Sequence, residues 1–177
     1  KILKIINVGR FTDQKDHITL LKTMNNLKNK INFELLIVGR GVNKAIINNY
    51  ITENNLKKFV KIVNYKKNPY PYIKQSDLFI LSSRFEGLPN VLLEALVLNK
   101  FVISSNCPTG PAEILDNGKG GLLFKVGDYK DLEKKIKYFL LNKKACIKKI
   151  KYAKKRLNRF DYKYNLNKYN NIVQKHL

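Results

Sequence analysis

The sequence is poor in cysteine and lacks both long apolar runs and the common phosphate-binding fingerprints. Its two cysteines, Cys107 and Cys146, have no paired spacing, which argues against a disulfide scaffold or a zinc site and favours a reducing, cytoplasmic compartment. No apolar run approaches the roughly 20 residues that span a bilayer. The dinucleotide pattern G-x-G-x-x-G and the P-loop pattern are also missing, which excludes the usual members of those two classes.

Histidines are equally scarce. Neither His17 nor His176 has a Ser, Cys or carboxylate partner that suggests a catalytic triad, and the two do not form a metal-ligand pair. We therefore expect both histidines to be structural or exposed. Lys1 is not followed by a leader-like pattern, so we expect the chain to start inside a longer protein, with a partner domain before it.

Negative charge is scarce, because 13 acidic residues stand against 35 basic ones and give a net charge of +22. Three interpretations of this charge stay open. One is a solvated, lysine-rich surface to which an AT-rich genome contributes, and another is a face that meets an anionic membrane or phosphate-bearing substrates. The third, nucleic-acid binding, is disfavoured because no basic helix with base-reading residues and no aromatic RNA-binding motif is present.

Short strand-like runs alternate with helix-like stretches in a chain whose 177 residues, 44% of them hydrophobic, fit one globular domain. This alternation predicts an α/β fold in which helices cover both faces of a parallel sheet. Ligands of such sheets bind at the carboxyl ends of the strands. We predict strands at 2–8, 33–38, 59–63, 78–81, 101–104 and 122–124, helices at 17–27, 45–53 and 90–98, one helical turn before residue 78, and helices from 129 to the end.

The segment SSRFEGLPNVLLEAL (82–96) carries the strongest functional signal, because it follows a predicted strand and runs into a helix. Gly87 permits a sharp turn there, and a proline suits the start of the helix. The free amides at a helix start form a site for a diphosphate. These amides lie around Leu88 to Val91, a stretch in which Asn90 can donate and Pro89, which has no N–H, instead suits the helix start.

Two carboxylates belong to the same segment. Glu86 lies in the turn and Glu94 in the second turn of the predicted helix, so both can face one crevice, the first near a sugar and the second near the paired hydroxyls of a ribose. The alternative is a pair of solvated glutamates. Glu94, however, lies in the apolar sequence VLLEAL, where a carboxylate needs a partner, and we favour the functional interpretation.

Two further candidate segments follow the first two predicted strands. In GRFTDQK (9–15), Gly9 permits a tight turn, Arg10 can bind phosphate oxygens bidentately, and Lys15 acts as a mobile point charge. The alternative is ordinary surface charge in a chain with 35 basic residues. In GRG (39–41), Gly39 is expected to let the backbone pass close to a ligand.

Taken in order, these segments resemble the carboxyl-terminal domain of family 4 glycosyltransferases, which have the two-domain GT-B architecture. VGRFTDQKDHITLLK resembles the family's first strand, basic loop and helix, and LLIVGRG its second strand and glycine turn. YPYIKQSDLFILSSRFEGLPNVLLEAL resembles the E-x7-E segment, which is the most specific feature, and NCPTGPAEIL with NGKGGLLF resembles the closing loop, helix and strand. The resemblance implies that residues 1–177 form a Rossmann-like, doubly wound sheet of about six strands, the donor-binding half of a GT-B fold.

The resemblance also implies roles for the candidate residues. The catalytic set is Arg10, Lys15 and Glu86, of which the two cations would neutralise the donor's diphosphate and stabilise it as it leaves, and the glutamate would contact the sugar or its phosphate. Glu94 would bind the ribose hydroxyls. Residues expected to shape the phosphate turn or border the base are Gly87, Leu88, Pro89, Asn64, Tyr65 and Lys66.

Enzymes of this family retain the anomeric configuration and need no metal or other cofactor, and UDP is their commonest donor nucleotide. The resemblance therefore implies transfer from a nucleotide sugar, with a UDP-sugar expected first and GDP and ADP left open, to a glycan or lipid-linked acceptor. This transfer would serve surface polysaccharide or glycolipid synthesis at the inner face of the cytoplasmic membrane. The acceptor would bind an N-terminal domain that is missing from this chain, so the chain alone should be nearly inactive. A helix within 160–173 would cross back and pack on that domain. The alternatives are a GT-B nucleotide-sugar epimerase and a non-catalytic basic module that binds membranes or polyanions.

Overall fold

The computed structural model describes residues 2–174, and His176 lies outside them. Six parallel strands form one sheet in the order β3-β2-β1-β4-β5-β6. The predicted α/β class and all six predicted strands are confirmed, and each end of each strand lies within one residue of its predicted position. The strands are β1 (Leu3–Val8), β2 (Phe33–Gly39), β3 (Val60–Asn64), β4 (Leu78–Leu81), β5 (Phe101–Ser105) and β6 (Leu122–Phe124).

Helices join the strands and continue beyond them to the end of the described chain. The predicted helix at 17–27 has those bounds, and the single turn before residue 78 is α3. Two short 3-10 turns, Asp13–Lys15 and Leu157–Phe160, precede α1 and α8. The helices are α1 (His17–Leu27), α2 (Lys44–Glu53), α3 (Tyr70–Gln75), α4 (Asn90–Val97), α5 (Pro111–Ile114), α6 (Tyr129–Leu141), α7 (Lys143–Arg156) and α8 (Tyr162–Gln174).

Two apolar cores lie on the two faces of the sheet, which makes the fold doubly wound. On one face, α1, α2 and α6 pack residues such as Leu21, Ile47 and Ile136 against the strands. On the other face, α3, α4, α5 and α7 do the same with residues such as Leu92 and Ala153. Strands that are covered on both sides need apolar residues at nearly every position, and β4 is buried along its whole length.

The strand order changes direction between β1 and β4, which are neighbours in the sheet although α1, β2, α2, β3 and α3 separate them in sequence. The connections that leave β1 and β4 therefore run to opposite sides. A crevice opens at such a switch point, at the carboxyl ends of the two strands. The loops that follow β1, residues 9–16, and β4, residues 82–89, form its two sides.

Candidate functional site

Hydrogen bonds tie the loop after β1 to the loop after β4. The Arg84 amide donates to the Gln14 carbonyl at 2.7 Å, and the Gln14 side-chain amide donates to the Phe85 carbonyl at 3.0 Å. The Ser82 hydroxyl donates to the Lys15 carbonyl at 2.8 Å. The two loops are about 70 residues apart in sequence, yet these bonds hold them as one unit around the crevice.

Asp16 reinforces this connection and begins α1. Its backbone has a left-handed φ of 43°, which Asp adopts more readily than most residues. Its carboxylate accepts hydrogen bonds from the Thr19 amide at 3.1 Å and the Thr19 hydroxyl at 2.8 Å, a helix cap. The same carboxylate lies 3.3 Å from the Arg84 guanidinium, so Asp16 is held both by α1 and by the loop after β4.

An ion pair between Lys15 and Glu86 lies where the loops meet. The Lys15 Nζ is 2.5 Å from Oε1 of Glu86, and the Ser83 hydroxyl donates to the same oxygen at 2.6 Å. The side chains of the pair are only 13% and 6% exposed. The structure thus brings two of the three candidate catalytic residues into contact, with Lys15 neutralised by a carboxylate. Arg10, the third, is exposed on the same crevice.

Two glycines, Gly39 and Gly110, allow close packing at the site. A Cβ on Gly39 would lie 1.9 Å from the Gly9 carbonyl oxygen, so Gly39 lets β2 approach the loop after β1. Gly9 and Gly87 each lie at a bend of the backbone, and neither has a positive φ. Gly110, with φ of 79°, is the glycine that packs against the Gly87 carbonyl.

The crevice is a cleft of about 530 Å3 with an excess of positive charge. Its walls carry five cations and two carboxylates, which suits a ligand with more than one negative charge. The first turn of α4 also faces it, and the amides of a first helical turn have no partner within the helix. The charged lining residues are Arg10, Lys15, Arg40, Lys66, Lys67, Glu86 and Glu94.

Glu94 differs from Glu86 because it has no protein partner. It is half-buried on α4, and no hydrogen bond or ion pair joins its carboxylate to any described residue. Burial alone raises the pKa of Glu94 above its ordinary value. A carboxylate in such apolar surroundings needs a polar partner. The Glu94 carboxylate can therefore accept hydrogen bonds from a ligand in the cleft.

Most of the residues singled out from the sequence line this one cleft: Gly9, Arg10, Lys15, Gly39, Tyr65, Lys66, Glu86, Leu88, Pro89, Asn90, Val91 and Glu94. Two do not. The Asn64 side chain accepts a hydrogen bond from Lys44 Nζ at 2.9 Å, and Gly87 is exposed without lining the cleft. Pro89 is the N-cap residue of α4, one position before the first turn of the helix.

Arg40 and Lys67 also line the cleft, although the sequence did not predict a role for either. The guanidinium of Arg40 lies 4.7 Å from the centroid of the Tyr65 ring, in a cation–π contact. Arg40 belongs to the GRG segment, of which only the glycines were considered. Its position as a cation directly after β2 could have predicted that it lines the cleft. Lys67 stands in a run of lysines and carries no such signal.

Other features of the described chain do not form a comparable site. A depression of about 600 Å3 is lined by Lys4, Glu34, Lys58 and Tyr72, but it lies towards the amino ends of β1 to β3, away from the end where parallel sheets bind ligands. Within residues 2–174, no group of three His, Cys, Asp or Glu side chains could hold a metal ion, and no helix could cross a membrane. His17 is buried edge-on against Phe11, with ring centroids 5.2 Å apart, as expected of a structural residue.

The sheet order and the helices on both faces define the carboxyl-terminal, Rossmann-like domain of the GT-B class of glycosyltransferases. Residues 2–156 match the family described as "Glycosyl transferases group 1", and the chain belongs to that family. The structure of Anabaena HepE in complex with UDP and glucose superposes with a TM-score of 0.86 at 18% identity, over 98% of this chain and 48% of that one.

Curated relatives agree with this assignment. An uncharacterized glycosyltransferase of Methanocaldococcus jannaschii is 42% identical over 111 residues, which are 62% of this chain and 27% of that protein. The N-acetylgalactosamine-N,N'-diacetylbacillosaminyl-diphospho-undecaprenol 4-alpha-N-acetylgalactosaminyltransferase of Campylobacter jejuni is 31% identical over 157 residues, which are 89% of this chain and 42% of that protein. The chain thus spans less than half the length of these relatives.

Proposed function

We propose that this chain is the donor-binding domain of a retaining, metal-independent glycosyltransferase that uses a nucleoside diphosphate sugar. The observation that carries the proposal is the half-buried carboxylate of Glu94, which has no protein partner among the described residues and lines the same cleft as five cations. A sugar nucleotide has the complementary groups, because its ribose offers paired hydroxyl donors and its diphosphate offers two negative charges. Both ends of such a ligand would then find partners in one cleft.

The cations would act mainly on the diphosphate. When the bond between the sugar and the β-phosphate oxygen breaks, negative charge grows on that phosphate. Arg10, Lys15 and the first amides of α4 would stabilise this charge, and interactions that strengthen as the charge grows lower the barrier. These groups would do the electrostatic work that a divalent ion does elsewhere, so the transfer needs no metal.

Lys15 and Glu86 would act as a unit. Oε1 of Glu86 holds the ammonium group of Lys15 at 2.5 Å. Donor binding would place a phosphate beside the same ammonium group, which has three protons to donate and can serve both anions. Glu86 would then keep Lys15 in position while its second oxygen contacts the sugar. Ser83, which donates to Oε1, would be a positioning residue.

Relatives support UDP as the nucleotide and a membrane-linked acceptor. HepE was crystallised with UDP and glucose, and the Campylobacter enzyme is named for a diphospho-undecaprenol acceptor. We propose transfer from a UDP-sugar to a glycan or lipid-linked acceptor in surface polysaccharide or glycolipid synthesis, at the inner face of the cytoplasmic membrane. The acceptor would bind a domain outside this chain, against which α8 would pack with its exposed Tyr162, Tyr164 and Tyr169. The isolated chain should then be nearly inactive.

Thermal unfolding in the presence of UDP, GDP and ADP tests this proposal. A ligand that binds only the folded chain raises its melting temperature. We expect one nucleotide to do so, with and without EDTA, and we expect Glu94→Ala to show a clearly smaller shift. Glu53→Ala, which removes an exposed carboxylate at the far end of α2, is the control and should keep it. An equal shift in Glu94→Ala, or a shift that EDTA abolishes, would contradict the proposal.

A further inference from the structure

Basic residues are concentrated on α7 (Lys143–Arg156) more than anywhere else in a described helix. Eight of its fourteen residues are Lys or Arg and none is acidic, whereas the whole chain has 35 basic residues among 177. A compositional bias towards lysine would raise the number of lysines everywhere. It does not explain why one helix has so many of them and no carboxylate.

One side of α7 is part of the fold. Cys146 and Ala153 are buried in the two cores, and Lys149 donates a hydrogen bond from its ammonium group to the Gly118 carbonyl. Tyr152 donates its hydroxyl proton to Asp116. This side is therefore committed to the protein and leaves the opposite side to solvent.

The opposite side carries a basic stripe, which we define as Lys144, Lys148, Lys151 and Lys155. All four are exposed. Their spacing of four, three and four residues places them on one face of the helix. At 1.5 Å per residue the stripe is about 16 Å long. Ile147, which lies beside it, is an apolar side chain that is 52% exposed.

The stripe does not help the fold. No carboxylate of the described chain forms an ion pair with any of its four lysines. Like charges three and four positions apart in a helix repel each other, and Lys144 lies near the amino end, where the helix dipole disfavours a cation. An external anion would relieve this repulsion along the whole stripe.

We propose that this face of α7 binds an anionic lipid surface. A straight row of lysines suits a flat layer of charge, because each ammonium group acts as a point charge without a fixed geometry. Nucleic acid fits less well, since the stripe has no arginine to read base edges and no aromatic side chain for stacking. Exposed Ile147, and Leu141 just before the helix at 83% exposure, can enter the interfacial layer of a membrane.

The proposal rests on α7 and not on the donor cleft, so each can fail without the other. Cosedimentation of the 177-residue chain with vesicles tests it, using phosphatidylcholine alone and phosphatidylcholine mixed with phosphatidylglycerol. The test variant changes Lys144, Lys148, Lys151 and Lys155 to Glu. The control changes Lys22, Lys57, Lys58 and Lys61 to Glu, which are also exposed and give the same change in net charge.

We expect the chain to bind the anionic vesicles and not the neutral ones. The stripe variant should bind at least about tenfold more weakly, and the control less than about threefold. All eight lysines are exposed, and glutamate is as good a helix former as lysine at the positions on α7 and α1, so circular dichroism and the melting temperature should show that both variants fold. Equal losses in the two variants, undiminished binding of the stripe variant, or no preference for anionic vesicles would overturn the proposal. Stronger binding to duplex DNA than to anionic vesicles at the same salt concentration, lost in the stripe variant, would also overturn it.

Discussion

At the scale of single residues, the ion pair of Lys15 and Glu86 is the contact on which the cleft depends most. Both side chains are nearly buried, and Oε1 of Glu86 accepts hydrogen bonds from Lys15 and from the Ser83 hydroxyl. Removing one partner of a buried pair leaves the other charge without compensation, whereas removing both is less costly. We therefore expect Lys15→Met to lower the free energy of unfolding by about 3 kcal/mol.

A double-mutant cycle measured by urea denaturation tests this expectation. The variant that combines Lys15→Met with Glu86→Gln should lose clearly less stability than the two single changes added together. Strict additivity of the single changes would show that the two groups do not interact in solution.

The carboxylate of Glu94 should give nucleotide binding a pH dependence. Burial raises its pKa above the ordinary 4.5, and protonation removes an acceptor for the ribose hydroxyls. We expect the affinity for UDP to fall as the pH drops from neutral towards the raised pKa. Titration calorimetry of wild type and Glu94→Gln separates this effect from titration of UDP itself, because only the wild type should show the additional loss. Identical pH profiles would contradict the assignment.

His17 should make the fold less stable in acid. Burial, and secondarily the charge of Lys15, lowers the pKa of His17 from 6.5 to about 4. The unfolded chain binds the proton more tightly between these two values, so the stabilisation is complete above 6.5 and is lost as the pH falls to about 4. The loss should be about 3 kcal/mol. Urea denaturation at neutral and acid pH measures this loss of unfolding free energy. The loss in His17→Gln should be smaller than in the wild type by the same amount.

At the scale of elements, the approach of β2 to the loop after β1 depends on one glycine. A Cβ on Gly39 would overlap the Gly9 carbonyl oxygen at 1.9 Å, whereas a Cβ on Gly9 would meet the methylenes of Lys15 at an ordinary 3.5 Å. We expect Gly39→Ala to cost about 1–3 kcal/mol or more and Gly9→Ala to cost much less. Unfolding of the two variants by denaturant compares them directly, and equal losses would contradict this account of the packing.

The elements themselves were largely predictable because their apolar periods are clear. The run 33–38 is apolar at nearly every position, which is typical of a strand covered on both faces, and α1 matches its predicted bounds. The strand order could not be read from any single segment. The hydrogen bonds of Gln14 with Arg84 and Phe85 were equally inaccessible, since contacts between distant loops leave no periodic signal.

At the scale of the whole molecule, the cleft forms because the loops that follow four neighbouring strands all begin at the carboxyl ends of those strands. The loops after β1, β2, β3 and β4 supply Arg10, Arg40, Lys66 and Glu86 respectively. The rule that ligands bind at the carboxyl ends of parallel strands was enough to place most of these residues together. It could not show that Lys15 is neutralised by Glu86 or that Glu94 lacks a partner, because side-chain pairing depends on the packed structure.

The central claim is that Glu94 binds the ribose of a nucleotide, and one calorimetric experiment tests it most directly. The affinities of UDP and of 2′,3′-dideoxy-UDP are measured for wild type and for Glu94→Ala. A lost hydrogen bond to a charged group costs about 1.5–3 kcal/mol, so removing the hydroxyls should weaken binding to wild type at least about tenfold and should hardly affect Glu94→Ala. If both proteins lose the same factor, the ribose does not lie on Glu94 and the proposed arrangement of the donor is wrong.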